Sequence, residues 1–132
     1  MSTELYWLTL TIIMTALFWV PYVLDRLVVN GTIPALLNPG PEPSRQSRWA
    51  ARAIKAHENA SENLVIFAPL VLMIHSLGLS TARTELAVVV YFFARLAHFG
   101  IYAAGVPVAR TVAFVIGWGA QAVLALTLLG LV

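Results

Sequence analysis

The chain has 132 residues, 60% of them hydrophobic and 11% charged, where a soluble domain is typically about 25% charged. So few charges cannot cover a soluble surface, and the bilayer is the natural solvent for such a chain. A net charge of +2 gives no reason to read nucleic-acid binding, and the lack of cysteine excludes disulfides, thiolate metal sites and a protein-borne thiol nucleophile.

A spanning helix takes roughly 20 mostly apolar residues. Four of them with short loops use nearly the whole chain. The expectation is therefore one all-α transmembrane domain over residues 1–132, an integral membrane four-helix bundle. The first helix is read over about residues 5–29. Glu4, not a basic run, precedes it and no small-residue cleavage site follows, so it is not a cleaved signal peptide. Pro21 is placed to kink it, which spanning helices tolerate. Asn30-Gly31-Thr32-Ile33-Pro34 and then Asn38-Pro39-Gly40-Pro41-Glu42-Pro43 read as a long loop.

The second helix is read over about residues 46–79, capped by Ser44 or Ser47. Its second half is apolar but too short to cross alone, so part of the polar first half must lie inside the membrane, shielded by other helices. The third helix, about residues 84–104, contains Arg95 and His98. Gly105 and Pro107 are a stop-and-restart signal, and the fourth helix takes about residues 107–131. On it Ala109, Ala113, Gly117, Gln121 and Ala125 recur every four residues, a stripe suited to close packing in lipid, with Gln121 as an interhelical hydrogen bonder.

Arg26, Arg45, Arg48, Arg52, Lys55 and Arg110 flank loops 1–2 and 3–4, whereas loop 2–3 has Arg83 alone beside Glu85. The positive-inside rule puts the first two loops in the cytoplasm and both termini outside. So compact a chain fits a bacterial inner membrane.

Arg95 then lies about 13 Å inside the cytoplasmic end of its helix, and Glu62 about 25 Å from the outer end of its own. Ionisable groups at such depth are costly unless they face protein or water. Arg52, Lys55, Asn59, Glu62 and Asn63 share one face of the second helix, and Tyr91, Arg95, His98 and Tyr102 one face of the third. Arg110 and Thr111 open the fourth, where the helix dipole favours an anion. The plain alternatives are a structural Glu62–Arg95 pair, hydrogen-bonded core roles for His57 and His98, topology signals in Arg26, Arg45 and Arg48, and a packing or interfacial role for His75. A metal at His57, Glu62 and His98 is disfavoured by the cations around them and by the wrong spacing. Three or four cations face two carboxylates at most, which suits an anionic, zwitterionic ligand.

Lys55-Ala56-His57-Glu58-Asn59-Ala60-Ser61-Glu62-Asn63 resembles the second-helix signature of the MAPEG proteins, the membrane-associated proteins of eicosanoid and glutathione metabolism. Arg95-Leu96-Ala97-His98-Phe99-Gly100-Ile101-Tyr102 resembles their third-helix pattern, and Arg110-Thr111 the pair that opens their fourth helix. Arg26 sits where they carry an arginine at the end of the first helix. The likeness runs the length of the chain. It implies a homotrimer in membrane lipid, with glutathione as co-substrate bound between subunits near the cytoplasmic face, and a lipophilic small-molecule substrate. Asn59 and Glu62 would hold the γ-glutamyl end, Arg95, His98 and Tyr102 would contact the tripeptide, and Arg26 and Lys55 would neutralise carboxylates, in a ligand set that also takes in Arg52 and His57. Arg110, with Thr111, would stabilise the thiolate. Lys55 departs from the family's usual arginine and loses bidentate carboxylate binding, and loop 1–2 is longer and richer in proline than in the eicosanoid enzymes. The implied activity is that of a glutathione transferase or peroxidase. The alternatives are a non-catalytic lipid-binding or scaffold member of the family, and a small membrane transporter or structural protein.

Overall fold

The computed structural model describes residues 1–37 and 45–132, and these are all-helical apart from turns. The helices are α1 (Thr3–Leu17), α2 (Trp19–Asn30), α3 (Thr32–Leu36), α4 (Arg48–Ser76), α5 (Ala82–Ala104) and α6 (Pro107–Leu128). Among the described residues, three stretches are long and apolar enough to cross a membrane: Thr3–Asn30, α5 and α6. The fourth long helix, α4, has 29 residues and a polar first half.

The first span is one path made of two helices. Pro21 has no N–H, and its ring crowds the carbonyl four residues earlier, that of Leu17, where α1 stops. The Phe18 N–H turns back to Thr15 O (3.2 Å), and the buried Phe18 ring stacks on Phe99 at 4.0 Å. The break is thus pinned against α5.

Part of the segment read as loop is helical. Gly31, at φ 80°, ends α2 with its N–H on Leu27 O, and Thr32–Leu36 forms one further short helix. A left-handed φ is one that glycine takes at little cost, so the chain turns sharply there and restarts. The proline-rich run from Asn38 to Pro43 and the alternative cap Ser44 lie outside the described residues.

Ser47 stands at the N-cap of α4, but its hydroxyl does not cap. Its N–H donates to Asp25 Oδ2 (2.9 Å) and its Oγ to Asp25 Oδ1 (2.5 Å), so the buried Asp25 staples the end of α2 to the start of α4. At the other end α4 stops at Ser76, short of residue 79, where Gly78 (φ 66°) reverses the chain. Helix α5 begins two residues earlier than read, because Thr81 and Thr84 form a reciprocal capping box. Helix α6 ends at Leu128, not near residue 131, because Gly130 (φ 70°) ends it.

Lipid tails are as apolar as leucine, so helices in a bilayer associate through close packing and buried polar contacts. Both occur here. Ala50, Ala53, Ala56 and Ala60 are buried along one face of α4, and Phe67 stacks on Tyr91 of α5 at 3.7 Å. Glu4 of α1, 1% exposed, accepts hydrogen bonds from Thr84 Oγ1 (2.8 Å) and Ser80 Oγ, tying the N-terminus to the α4–α5 turn. His75 sits at that same end, 3.4 Å from Ser2 Oγ. The outer faces carry exposed Ile13, Val65, Phe93, Val115 and Trp118, an apolar belt of a kind that water does not tolerate but lipid does.

Candidate functional site

Where α5 turns into α6, a cleft of about 250 Å³ is lined by Asn59, His98, Tyr102, Arg110, Thr111 and Phe114. Gly105 in the left-handed region (φ 81°) closes α5, and Pro107 occupies the first turn of α6. That turn brings Arg110 back over the last turn of α5, with its guanidinium 4.5 Å above the Tyr102 ring. Val106, the N-cap of α6, supplies no side-chain cap, so the first-turn N–H groups stay free for an anion. Thr111 is exposed in the cleft wall and donates to Pro107 O (3.1 Å).

Arg95 lies behind the cleft, 2% exposed. Its Nη2 donates to Asn59 Oδ1 (2.5 Å), and its guanidinium sits 5.9 Å from the Phe114 ring centroid. Gly117 packs directly against it, and a Cβ there would come 3.4 Å from Arg95 Cδ. Asn63 Nδ2 donates to Asn59 O (2.8 Å), and Gln121 Nε2 to Asn63 O (3.0 Å), so polar contacts run from α6 through α4 to Arg95. The interhelical role read for Gln121 is the one it plays. Arg95 Nε and His98 Nδ1 are buried and find no partner among the described residues. A buried polar atom without a partner calls for an explanation, and a ligand is one.

The other sequence-read residues fall elsewhere. Arg52 Nε donates to Ala103 O (2.9 Å), and its guanidinium packs against Gly105, satisfying one of the last carbonyls of α5. His57 points the other way: its Nδ1 is 2.8 Å from the Tyr22 hydroxyl, because position 57 falls on the α4 face that packs on α2. Neither lines the cleft. Lys55 is exposed and sits 3.9 Å from Glu58. Glu62 is exposed on the outer margin of the polar stripe and makes no pair with Arg95, whose side-chain acceptor is Asn59. Arg26, near the end of α2, keeps a buried Nε that meets no hydrogen-bond partner among the described residues. Phe114 was absent from the sequence-read set; its position three to four residues beyond Arg110 and Thr111 placed it on their face.

South of the cleft chemistry, Phe114 also borders an apolar groove of about 640 Å³ between α4 and α6, lined in part by Ile66, Leu70, Trp118 and Ala122. The site is thus a cationic cleft that shares the Phe114 wall with an apolar groove.

These features define an all-α integral membrane protein that gathers cations and hydrogen-bonding groups at one end of its helices. The profile of the MAPEG family matches residues 5–130, and the chain belongs to that family. Comparison with curated proteins gives no match.

Proposed function

We propose that the protein is a glutathione-dependent membrane transferase or peroxidase acting on lipophilic electrophiles, in the form of a homotrimer. Family membership supports the glutathione-related class. The observation that carries the reading is Arg110 over Tyr102, at the uncapped first turn of α6 and beside an apolar groove.

Glutathione offers two carboxylates, an ammonium and a thiol. The cleft is lined by one arginine, Arg110, and no carboxylate, and Arg95 behind it is held by a neutral amide that leaves its charge uncompensated. Arg95, with Asn59 and His98, is placed to bind the tripeptide. Arg110 and the first-turn N–H groups of α6 are placed to stabilise the thiolate, with the Thr111 hydroxyl alongside. A cation and a helix N-terminus lower a thiol's pKa, and the thiolate is the nucleophile. It would attack the electrophile, which takes the sulfur bond and releases its leaving group or accepts a proton. Phe114 and Trp118 offer that electrophile an apolar approach from the bilayer.

The case for more than one copy is physical. Ligand pockets for drug-sized molecules usually hold about 300–1,000 Å³, and the cleft of one chain is smaller. Glu62 lies about 21 Å from the Ser76 end of α4, inside a hydrocarbon core of about 30 Å. An exposed carboxylate at that depth needs a protein neighbour. A second copy against the polar stripe would shield Glu62, bring it to a ligand's ammonium and let Lys55 and Arg26 reach carboxylates. By charge bias the site faces the cytoplasm and the termini lie outside.

The test is glutathione binding, thiolate absorbance and conjugation of a hydrophobic electrophile by the protein in detergent, repeated for Arg110→Ala and Glu62→Gln. The expected result is binding by the parent, loss of thiolate and conjugation in the first variant and weakened binding in the second. No binding by the parent, or two unaffected variants, refutes the proposal. A folded protein that binds glutathione but conjugates nothing favours the non-catalytic branch.

A further inference from the structure

The outward face of α5 and α6 carries a second apolar groove, of about 350 Å³, that shares no lining residue with the Arg110 cleft. Its walls include Ala87 and Val90 of α5 and Ile116, Gly119 and Val123 of α6, and Arg83 stands at one end. From Arg83 to Val90 it runs along α5 for about 10 Å.

Two glycines interrupt α6, and each costs a helix interior roughly 1 kcal/mol relative to alanine. Gly117 is packed inside the chain, against Arg95 and Ala94. Gly119 is not: a Cβ there would meet nothing within 4 Å. The space over Gly119 is therefore left for something outside this chain. Arg83 is exposed, and the single ion pair among the described residues is Lys55–Glu58. Beyond Arg83 a further recess of about 350 Å³, formed with Thr81, Ala82 and Val132, leaves room for a headgroup.

We propose that this groove binds one phospholipid, with an acyl chain laid over Gly119 and the phosphate on Arg83. A guanidinium matches phosphate geometry in a bidentate way. The helix of a second copy would also fill the groove, but a phosphate headgroup also fits the recess beyond Arg83, and its charge complements the guanidinium, which favours the lipid. The inference is independent of glutathione chemistry.

Native mass spectrometry of the whole protein, in detergent micelles doped with phosphatidylglycerol, counts lipid retained per chain. The parent is expected to retain one. Gly119→Leu projects into the groove from a position where a Cβ meets nothing within 4 Å and is expected to abolish retention. Arg83→Gln, an exposed change that leaves packing alone, is expected to weaken it about fivefold. Equal retention by all three overturns the proposal. So does competition by glycerol phosphate at the lipid's own concentration, which would mark a free-phosphate site. Disassembly of an oligomer by Gly119→Leu with lipid retention unchanged also overturns it, since the groove would then be a contact between copies.

Discussion

Arg95 donates from Nη2 to Asn59 Oδ1, joining α5 to α4 behind the cleft. The partner is an amide, so one guanidinium N–H is satisfied while the positive charge is not cancelled. A carboxylate at position 59 would make a buried ion pair and cancel the charge that Arg95 offers an anion. The arrangement keeps a cation buried, oriented and still available, which is what binding an anionic ligand requires.

Asn59→Leu is expected to destabilise the protein by about 1.5–3 kcal/mol, the range for a lost hydrogen bond to a charged group. Asn59→Asp is expected to keep stability and weaken anion binding, because it neutralises Arg95. Thermal unfolding in detergent and glutathione titration separate the two effects.

Arg110→Ala is expected to lower conjugation by about 10²–10³-fold, the scale for removing one preorganised stabiliser of developing charge. Arg110→Lys keeps the charge but loses the planar fork and the stacking on Tyr102. Its activity should fall between parent and alanine variant. Single-turnover rates and thiolate absorbance check both.

The two α6 glycines should answer oppositely to substitution. Gly117→Leu drives a side chain into Arg95 and Ala94, with an expected cost of about 1–3 kcal/mol. Gly119→Ala meets nothing in the chain and should stabilise the helix by up to about 1 kcal/mol. Paired thermal unfolding curves decide.

Asp25→Ala removes both hydrogen bonds from Ser47. The loss of two bonds to one carboxylate, from a backbone N–H and a hydroxyl, should cost about 2–4 kcal/mol. Limited proteolysis is expected to cut the α2–α4 connection faster in the variant than in the parent.

A reporter fused after Val132 is expected to read outside the cytoplasm, and one inserted in the α4–α5 turn likewise. Opposite readings at both sites would reverse the proposed orientation and the leaflet of the Arg110 cleft.

Sequence alone determined the solvent and the helical class, because a chain with 11% charged residues has no other way to hide its surface. The family was legible too, since spacing on a helix fixes which side chains share a face: Asn59 and Asn63, or Arg95, His98 and Tyr102, could be grouped without coordinates. Gly105 and Pro107 marked the α5–α6 turn because their backbone chemistry is local. What a face meets is not local. Only the packing of α4 decided that Asn59, not Glu62, is the partner of Arg95, that His57 turns to Tyr22, and that Arg52 ends α5. Those outcomes depend on helix rotation and crossing, which are set by small buried residues such as the α4 alanines and Gly117. The sequence counted the charges of the site, and tertiary structure chose which of them are compensated.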